Sequence, residues 1–176
     1  CKSLFCGFEV DALGFQYKEE PLFKGTMYLP SHKNGVSTLI NYLFGNAGGL
    51  SFSNRKKIER ILSENKYSYV FLDGSLMGKL ARLIKIKYPE TVILSFFHNV
   101  EKEFFKKSIA NRPLNILLYK SVLYNEKLSA KYADHILCFN KRDATHIQKE
   151  YQKAVAGIFT VTVPDKFNLA LYNAHK

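Results

Sequence analysis

Little in this chain of 176 residues points to an extracellular or membrane-spanning protein. Its three cysteines, Cys1, Cys6 and Cys138, are an odd, scattered set without metal-ligand spacing. A dense disulfide framework is therefore excluded, and the thiols read as reduced in a cytosolic protein. No apolar run approaches the roughly 20 residues that a spanning helix needs. The chain opens on Cys1 without a basic n-region and apolar h-region, so no signal peptide is read, and it reads as a stretch from inside a longer protein. No G-x-x-x-x-G-K-[ST] loop is present, nor a G-x-G-x-x-G after a strand, which removes the main support for P-loop and dinucleotide readings. A G-x-S-x-G elbow and His or Cys pairs at zinc spacing are also missing, so hydrolase and metalloenzyme classes lose theirs. There is no short-period repeat and no low-complexity linker.

Acidic residues are scarce: 15 Asp and Glu face 26 Lys and Arg, a net charge of +11 that calls for an anionic partner. The cations fall in clusters at Arg55-Lys56-Lys57, at Lys79, Arg82, Lys85 and Lys87, at Lys102, Lys106 and Lys107, and at Lys141-Arg142. Any one of these also reads as the wet face of a helix, so only their sum is unusual. Eleven tyrosines and fourteen phenylalanines lie mostly inside apolar runs and do not alternate with Lys and Arg, which argues against a nucleic-acid stacking surface.

With 47% hydrophobic and 14% aromatic residues the chain can bury a core of ordinary domain size. From residue 66 onward strands and helices alternate. Residues 66–73 are an aromatic and β-branched run, and Gly74-Ser75 supplies turn and cap. Leu76, Leu80, Leu83 and Ile84 then recur at helical spacing until Pro89 stops the pattern. A second strand, 91–97, completes a β-α-β unit with parallel strands. Pro113 opens a long helix whose apolar face runs through Leu114, Leu117, Leu118, Val122 and Leu128 to Tyr132. Residues 134–139 read as the next strand, Asn140 caps a helix to about Tyr151 with Ala144, Ile147 and Tyr151 inward, and 158–163 read as a last strand ended by Pro164. Cys138 reads as a small core residue. The first 60 residues are less regular. Leu4, Phe5, Cys6, Phe8 and Val10 suggest an early strand, 37–44 a short helix, 45–49 a glycine-rich helix C-cap and loop in preference to a phosphate cradle, and 54–65 a helix with Ile58, Ile61 and Leu62 apolar. The expected fold is α/β, a Rossmann-like doubly wound parallel sheet over residues 1–165, with 166–176 a tail or the start of a linker.

Polar, titratable residues sit where these strands end, the edge at which open α/β sheets bind ligands. They are Asp73-Gly74-Ser75 after one strand, His98-Asn99-Val100-Glu101 after the next, and Asn140-Lys141-Arg142-Asp143 after the third, with Glu126 in the long helix. Asp73 either binds a ligand hydroxyl or caps the following helix. Asn99 reads as the N-cap of the helix that holds Glu103 to Lys107, and Glu101 in its first turn favours the dipole. Asn140 reads as a cap, Lys141 as a phosphate contact, and Glu126 as a buried structural hydrogen bond. His32, His135, His146 and His175 have no partner pattern.

In their order and spacing, Asp73-Gly74-Ser75, His98-Asn99-Val100-Glu101, Glu126, Tyr132-Ala133-Asp134 and Asn140 to Asp143 resemble the amino-terminal half of group 1 (family 4) glycosyltransferases, over roughly residues 54–164. The resemblance implies one half of a GT-B architecture: a cytoplasmic hexosyltransferase-type enzyme of polysaccharide biosynthesis that transfers a sugar with retention, needing neither metal nor other cofactor. Its nucleotide-sugar donor would be held mainly by a carboxy-terminal domain that residues 1–176 do not include, and its glycan or lipid-linked acceptor mainly by the domain read here. On this reading the isolated domain is inactive. The family's E-x7-E pair is not in the chain, and no glycine-rich loop follows a first strand. Carried over, His98 faces the transferred sugar, with a helix cap or a loop carbonyl as its other reading; Asp73, Gly74, Asn99, Glu101, Asn140 and Lys141 become substrate contacts. The alternative is a non-catalytic module that binds carbohydrate or nucleotide and is completed by a partner chain. Lipid-linked acceptors add the expectation of peripheral contact with the anionic inner face of the plasma membrane through Lys102, Lys106, Lys107 and Arg112, each worth roughly 1 kcal/mol near the surface.

Overall fold

A computed structural model of the chain describes residues 7, 9–16, 26–30, 35–47, 50–108 and 113–159. In chain order the elements are β1 (Ala12–Gln16), β2 (Thr26–Pro30), α1 (Gly35–Leu43), α2 (Phe52–Glu64), β3 (Tyr69–Asp73), a 3-10 turn (Ser75–Met77), α3 (Gly78–Lys87), β4 (Val92–Phe97), α4 (Glu101–Ser108), α5 (Pro113–Tyr132), β5 (His135–Cys138), α6 (Lys141–Tyr151) and β6 (Val155–Ile158). β3, β4, β5 and β6 form a parallel sheet in sequential order, flanked by helices, and β1 pairs with β2 in a two-stranded parallel sheet. This is the parallel α/β architecture of Rossmann-like kind that the alternation of strands and helices specified.

The strands sort their side chains by parity, because neighbours along a strand point to opposite faces. Leu72 of β3, Ile93 and Phe97 of β4, and Ile136 and Cys138 of β5 share one face and lie in the core. Leu80, Ala81 and Ile84 of α3 and Ile147 of α6 join the same core. Cys138 is a free, fully buried thiol, as expected of a small core residue. Asp134 ties α3 to the sheet: its Oδ2 accepts from the Ile93 N–H at 2.8 Å, and the Lys85 ammonium lies 2.8 Å from its Oδ1. Burial pushes the Asp134 carboxyl up, but Lys85 and the Ile93 N–H outweigh it and hold the carboxyl below its ordinary value.

α5 organises the helical layer with a buried polar stripe. Ser121, Asn125 and Ser129 recur every fourth residue, all buried. Ser121 Oγ donates to Asn46 O at 3.1 Å, Asn125 Nδ2 donates to Gly45 O at 2.8 Å while its Oδ1 accepts from the Lys79 N–H at 3.1 Å, and Ser129 Oγ donates to Ser75 O at 2.7 Å. Each bond satisfies a backbone group that a helix end or turn would otherwise bury unpaired. Gly78 lets α3 approach this stripe closely, since a Cβ there would lie 1.9 Å from Asn125 O. The glycine-rich segment begins as a helix C-cap: Gly45 has φ +66, its N–H donates to Tyr42 O at 2.9 Å and the Asn46 N–H to Asn41 O at 2.8 Å. Among the described residues, no helix is long and apolar enough to cross a membrane.

Several sequence expectations need correction or fall elsewhere. Val10 is exposed and belongs to no strand; the first described strand is β1, with a glycine inside it, and β2 ends on a proline, so neither shows clean alternation. The last described strand lies at Val155–Ile158, so it begins earlier than the expected 158–163, and the Phe159 N–H still donates to Cys138 O at 2.8 Å. Asn99 is not an N-cap, because α4 begins at Glu101 and Val100 occupies the flanking position. Leu4, Phe5, Cys6 and Phe8 of the early run, Cys1, His32, Gly48, Gly49, Arg112, residues 160–163, His175 and the tail 166–176 lie outside the described residues.

Candidate functional site

Asp73 is the last residue of β3, and His98 is the first beyond β4. Asp73 pairs laterally with Phe96, so His98, two residues farther on, emerges on the Asp73 face. His98 Nε2 lies 2.5 Å from Asp73 Oδ1. A carboxylate only accepts, so Nε2 carries the proton and Nδ1 is the nitrogen left for a ligand. Both side chains are open to solvent, 44% for His98 and 67% for Asp73. Gly74 follows with φ +129, a conformation that favours glycine, and lets the chain turn away directly behind the carboxylate.

An aromatic layer supports the imidazole. The Phe96 ring meets His98 edge-on at 5.3 Å between centroids, and Phe139, just beyond β5, lies at 5.5 Å. Phe96 in turn touches Phe139 at 4.7 Å, Phe71 of β3 at 6.1 Å and Phe159 beyond β6 at 6.2 Å. Four successive strands therefore each contribute one ring near their carboxyl ends. Phe96 is buried at the centre, and Phe71 and Phe159 are exposed at its sides. Such contacts restrict ring rotation and favour edge-to-face geometry, so His98 is held on two sides by rings and at Nε2 by a carboxylate. These phenylalanines were not singled out from sequence. The available signal was an aromatic residue two positions before Asp73 and two before His98, on the same strand face.

Beyond His98 the turn runs into α4. Val100 is buried, Asn99 exposed, and Glu101 half-buried. Burial pushes the Glu101 carboxyl up, and His98 opposes that shift. The first turn of α4 is capped from α5: Glu126 Oε2 accepts from the Lys102 N–H at 2.8 Å. Glu126 is fully buried, in keeping with the structural role expected of it, and burial pushes its carboxyl up to about 7. The Lys102 N–H and the Tyr151 hydroxyl pull in the opposite direction, and Glu101 adds to the rise. The Tyr151 hydroxyl is itself raised by burial and by Glu126.

The remaining predicted residues divide. Asp73 and His98 are brought together, and Glu101 is electrostatically coupled to His98. Asn140 caps α6, with Oδ1 accepting from the Asp143 N–H at 2.8 Å and Nδ2 donating to Asp143 Oδ2 at 2.8 Å. Its polar atoms are thereby committed to the helix end. Lys141, the first residue of α6, is exposed. Lys102 forms an ion pair with Glu150, and Lys106 is exposed. His135 and His146 are exposed at the surface. Among the described residues, no three His, Cys, Asp or Glu side chains converge as metal ligands.

Comparison with protein-family models, curated proteins and solved structures yields no match. The chemistry therefore rests on the residues themselves: an oriented imidazole with one free nitrogen, a carboxylate beside it, and flanking aromatic faces at the carboxyl edge of a parallel sheet. Neutral, Nδ1 accepts from a hydroxyl; protonated, it donates and the Asp73 carboxylate balances the charge.

Proposed function

We propose that this chain is the acceptor-side domain of a retaining glycosyltransferase, in which His98 meets the sugar transferred from a nucleotide-sugar donor and Asp73 orients it. The observation that carries this reading is the pairing of Asp73 and His98 across two strand ends, open to solvent, at the edge where parallel sheets take ligands. A sugar offers hydroxyls for the imidazole and carboxylate and apolar C–H faces for exposed rings such as Phe71 and Phe159. In the transfer, charge develops as the donor bond breaks. An imidazole whose protonated form is balanced by Asp73 stabilises a hydroxyl or phosphate oxygen that gains charge at that moment. The donor nucleotide falls to a second domain, and the acceptor is a glycan or a lipid-linked glycan. Work on a lipid-linked acceptor places the domain in the cytoplasm at an anionic membrane face, with Lys106 an exposed cation there and Lys102 paired with Glu150.

Titrating the labelled chain with oligosaccharide acceptors while observing the His98 ring and the Gly74 amide tests this reading. Saturable shifts at both in the parent chain, with the Gly74 shift lost in His98→Ala, support it. Shifts that are absent, or a Gly74 shift that persists unchanged in His98→Ala, contradict it.

A further inference from the structure

The turn that carries His98 buries Val100 in the core and runs into a helix whose first turn is held from α5. Between His98 and α4 lie only Asn99 and Val100, and the Lys102 N–H in the first turn of α4 is held by Glu126 from α5. Glu126 has its other oxygen, Oε1, fully buried with no hydrogen-bond donor. The groups that face it are Glu101 and Lys102 from α4 and Tyr151 from α6, with Glu150 of α6 acting on Lys102 and Tyr151, and Tyr119 of α5 on both.

We propose that Glu126 is a protonation-dependent anchor of the His98 turn, so that proton uptake in the core loosens the edge on which His98 and Asp73 meet. The geometry supplies the mechanism. Ionised, the carboxylate makes a charge-assisted bond to the Lys102 N–H and sits at the positive end of α4, two effects that fix where the helix starts. Protonated, it retains only a neutral bond and no longer complements the helix end, while its new O–H occupies the oxygen that lacks a donor. Because α4 starts three residues after His98, a change in its first turn reaches the imidazole through a very short segment. Burial places this proton exchange at about 7, inside the range a cell traverses. The proposal concerns the unliganded chain and does not depend on the ligand's being a sugar, so its failure and that of sugar transfer are separate.

Amide spectra of residues 99–102 over pH from about 5 to about 9 test the anchor in the full chain. In the wild type the Asn99, Val100 and Lys102 signals share one step near 7. That step persists in His98→Asn, disappears in Glu126→Gln, whose amide oxygen still accepts the N–H, and moves to higher pH in Tyr151→Phe, which loses a hydroxyl that favours the ionised carboxylate. A wild type with no step, a step that survives Glu126→Gln, or one abolished by His98→Asn overturns the proposal. Should Glu126→Gln not fold, Tyr151→Phe decides alone, and an unmoved step overturns it.

Discussion

Asp73 acts through a single atom of His98. With Nε2 held at 2.5 Å by the carboxylate, neutral His98 keeps its proton on Nε2 and presents Nδ1. Asp73→Leu is therefore expected to weaken that preference toward the tautomer balance of free histidine, read from the two ring nitrogen shifts; ring shifts unchanged by the substitution contradict the pairing. Glu126 makes a prediction of the opposite sign to a paired carboxylate such as Asp134. Its folded-state carboxyl is raised from 4.5 to about 7, so the folded chain holds the proton better than the unfolded one. Wild-type stability therefore falls as pH rises from about 4.5 to about 7 and is level beyond, a difference of roughly 3 kcal/mol. Glu126→Gln should flatten this slope in urea unfolding and be the more stable form at pH about 8; a parallel pH slope in both proteins refutes the burial cost. At this scale the sequence exposed Asp73 and His98 as strand-end residues, but not their contact, which follows from the lateral register of β3 against β4. The first turn of α4 differs from the sequence expectation for a related reason: its cap is not the local Asn99 but Glu126, 24 residues beyond the Lys102 N–H that it accepts from.

α5 shows how an element with modest amphipathicity can dominate a fold. Leu117, Leu118, Val122 and Leu128 gave it a legible apolar face, yet the residues that position its neighbours are Ser121, Asn125 and Ser129. A polar residue at helical spacing reads as solvent-facing until the partner backbone is known, so this stripe was invisible in the sequence. Gly78 marks the closest approach. A Cβ there would lie 1.9 Å from Asn125 O and 2.7 Å from Leu128 Cβ, neither at the end of a flexible side chain. Gly78→Ala should therefore destabilise the protein by about 3 kcal/mol or more in chemical unfolding, although alanine is the better helix former. A loss below about 1 kcal/mol would show that α3 and α5 are not locked together as described. By contrast α6 was legible almost to the residue. Asn140, the inward Ile147 and the Asp143 partner in the first turn all act locally, and local signals are what a sequence carries.

For the whole molecule, the alternation from residue 66 onward specified a parallel sheet because each strand is a short apolar run and the helices between recur at helical spacing, α5 opening on Pro113 and α6 on Asn140. The amino-terminal part carried less, since β1 and β2 contain glycine and proline where alternation should be. The charge of +11 belongs to this scale. Contact with an anionic bilayer predicts that the chain sediments with vesicles containing anionic lipid, not with neutral ones, and is released by salt as the Debye length shortens. Equal sedimentation with both, or with neither, removes the membrane from the account. The central proposal is that the His98 and Asp73 edge serves sugar transfer, and its most direct measurement is transfer from nucleotide sugars by the protein that contains this chain, with His98 intact and replaced by Ala. A loss of about 100-fold or more in kcat with the fold retained is predicted for His98→Ala. Turnover within a factor of about 2 of the parent protein would contradict it.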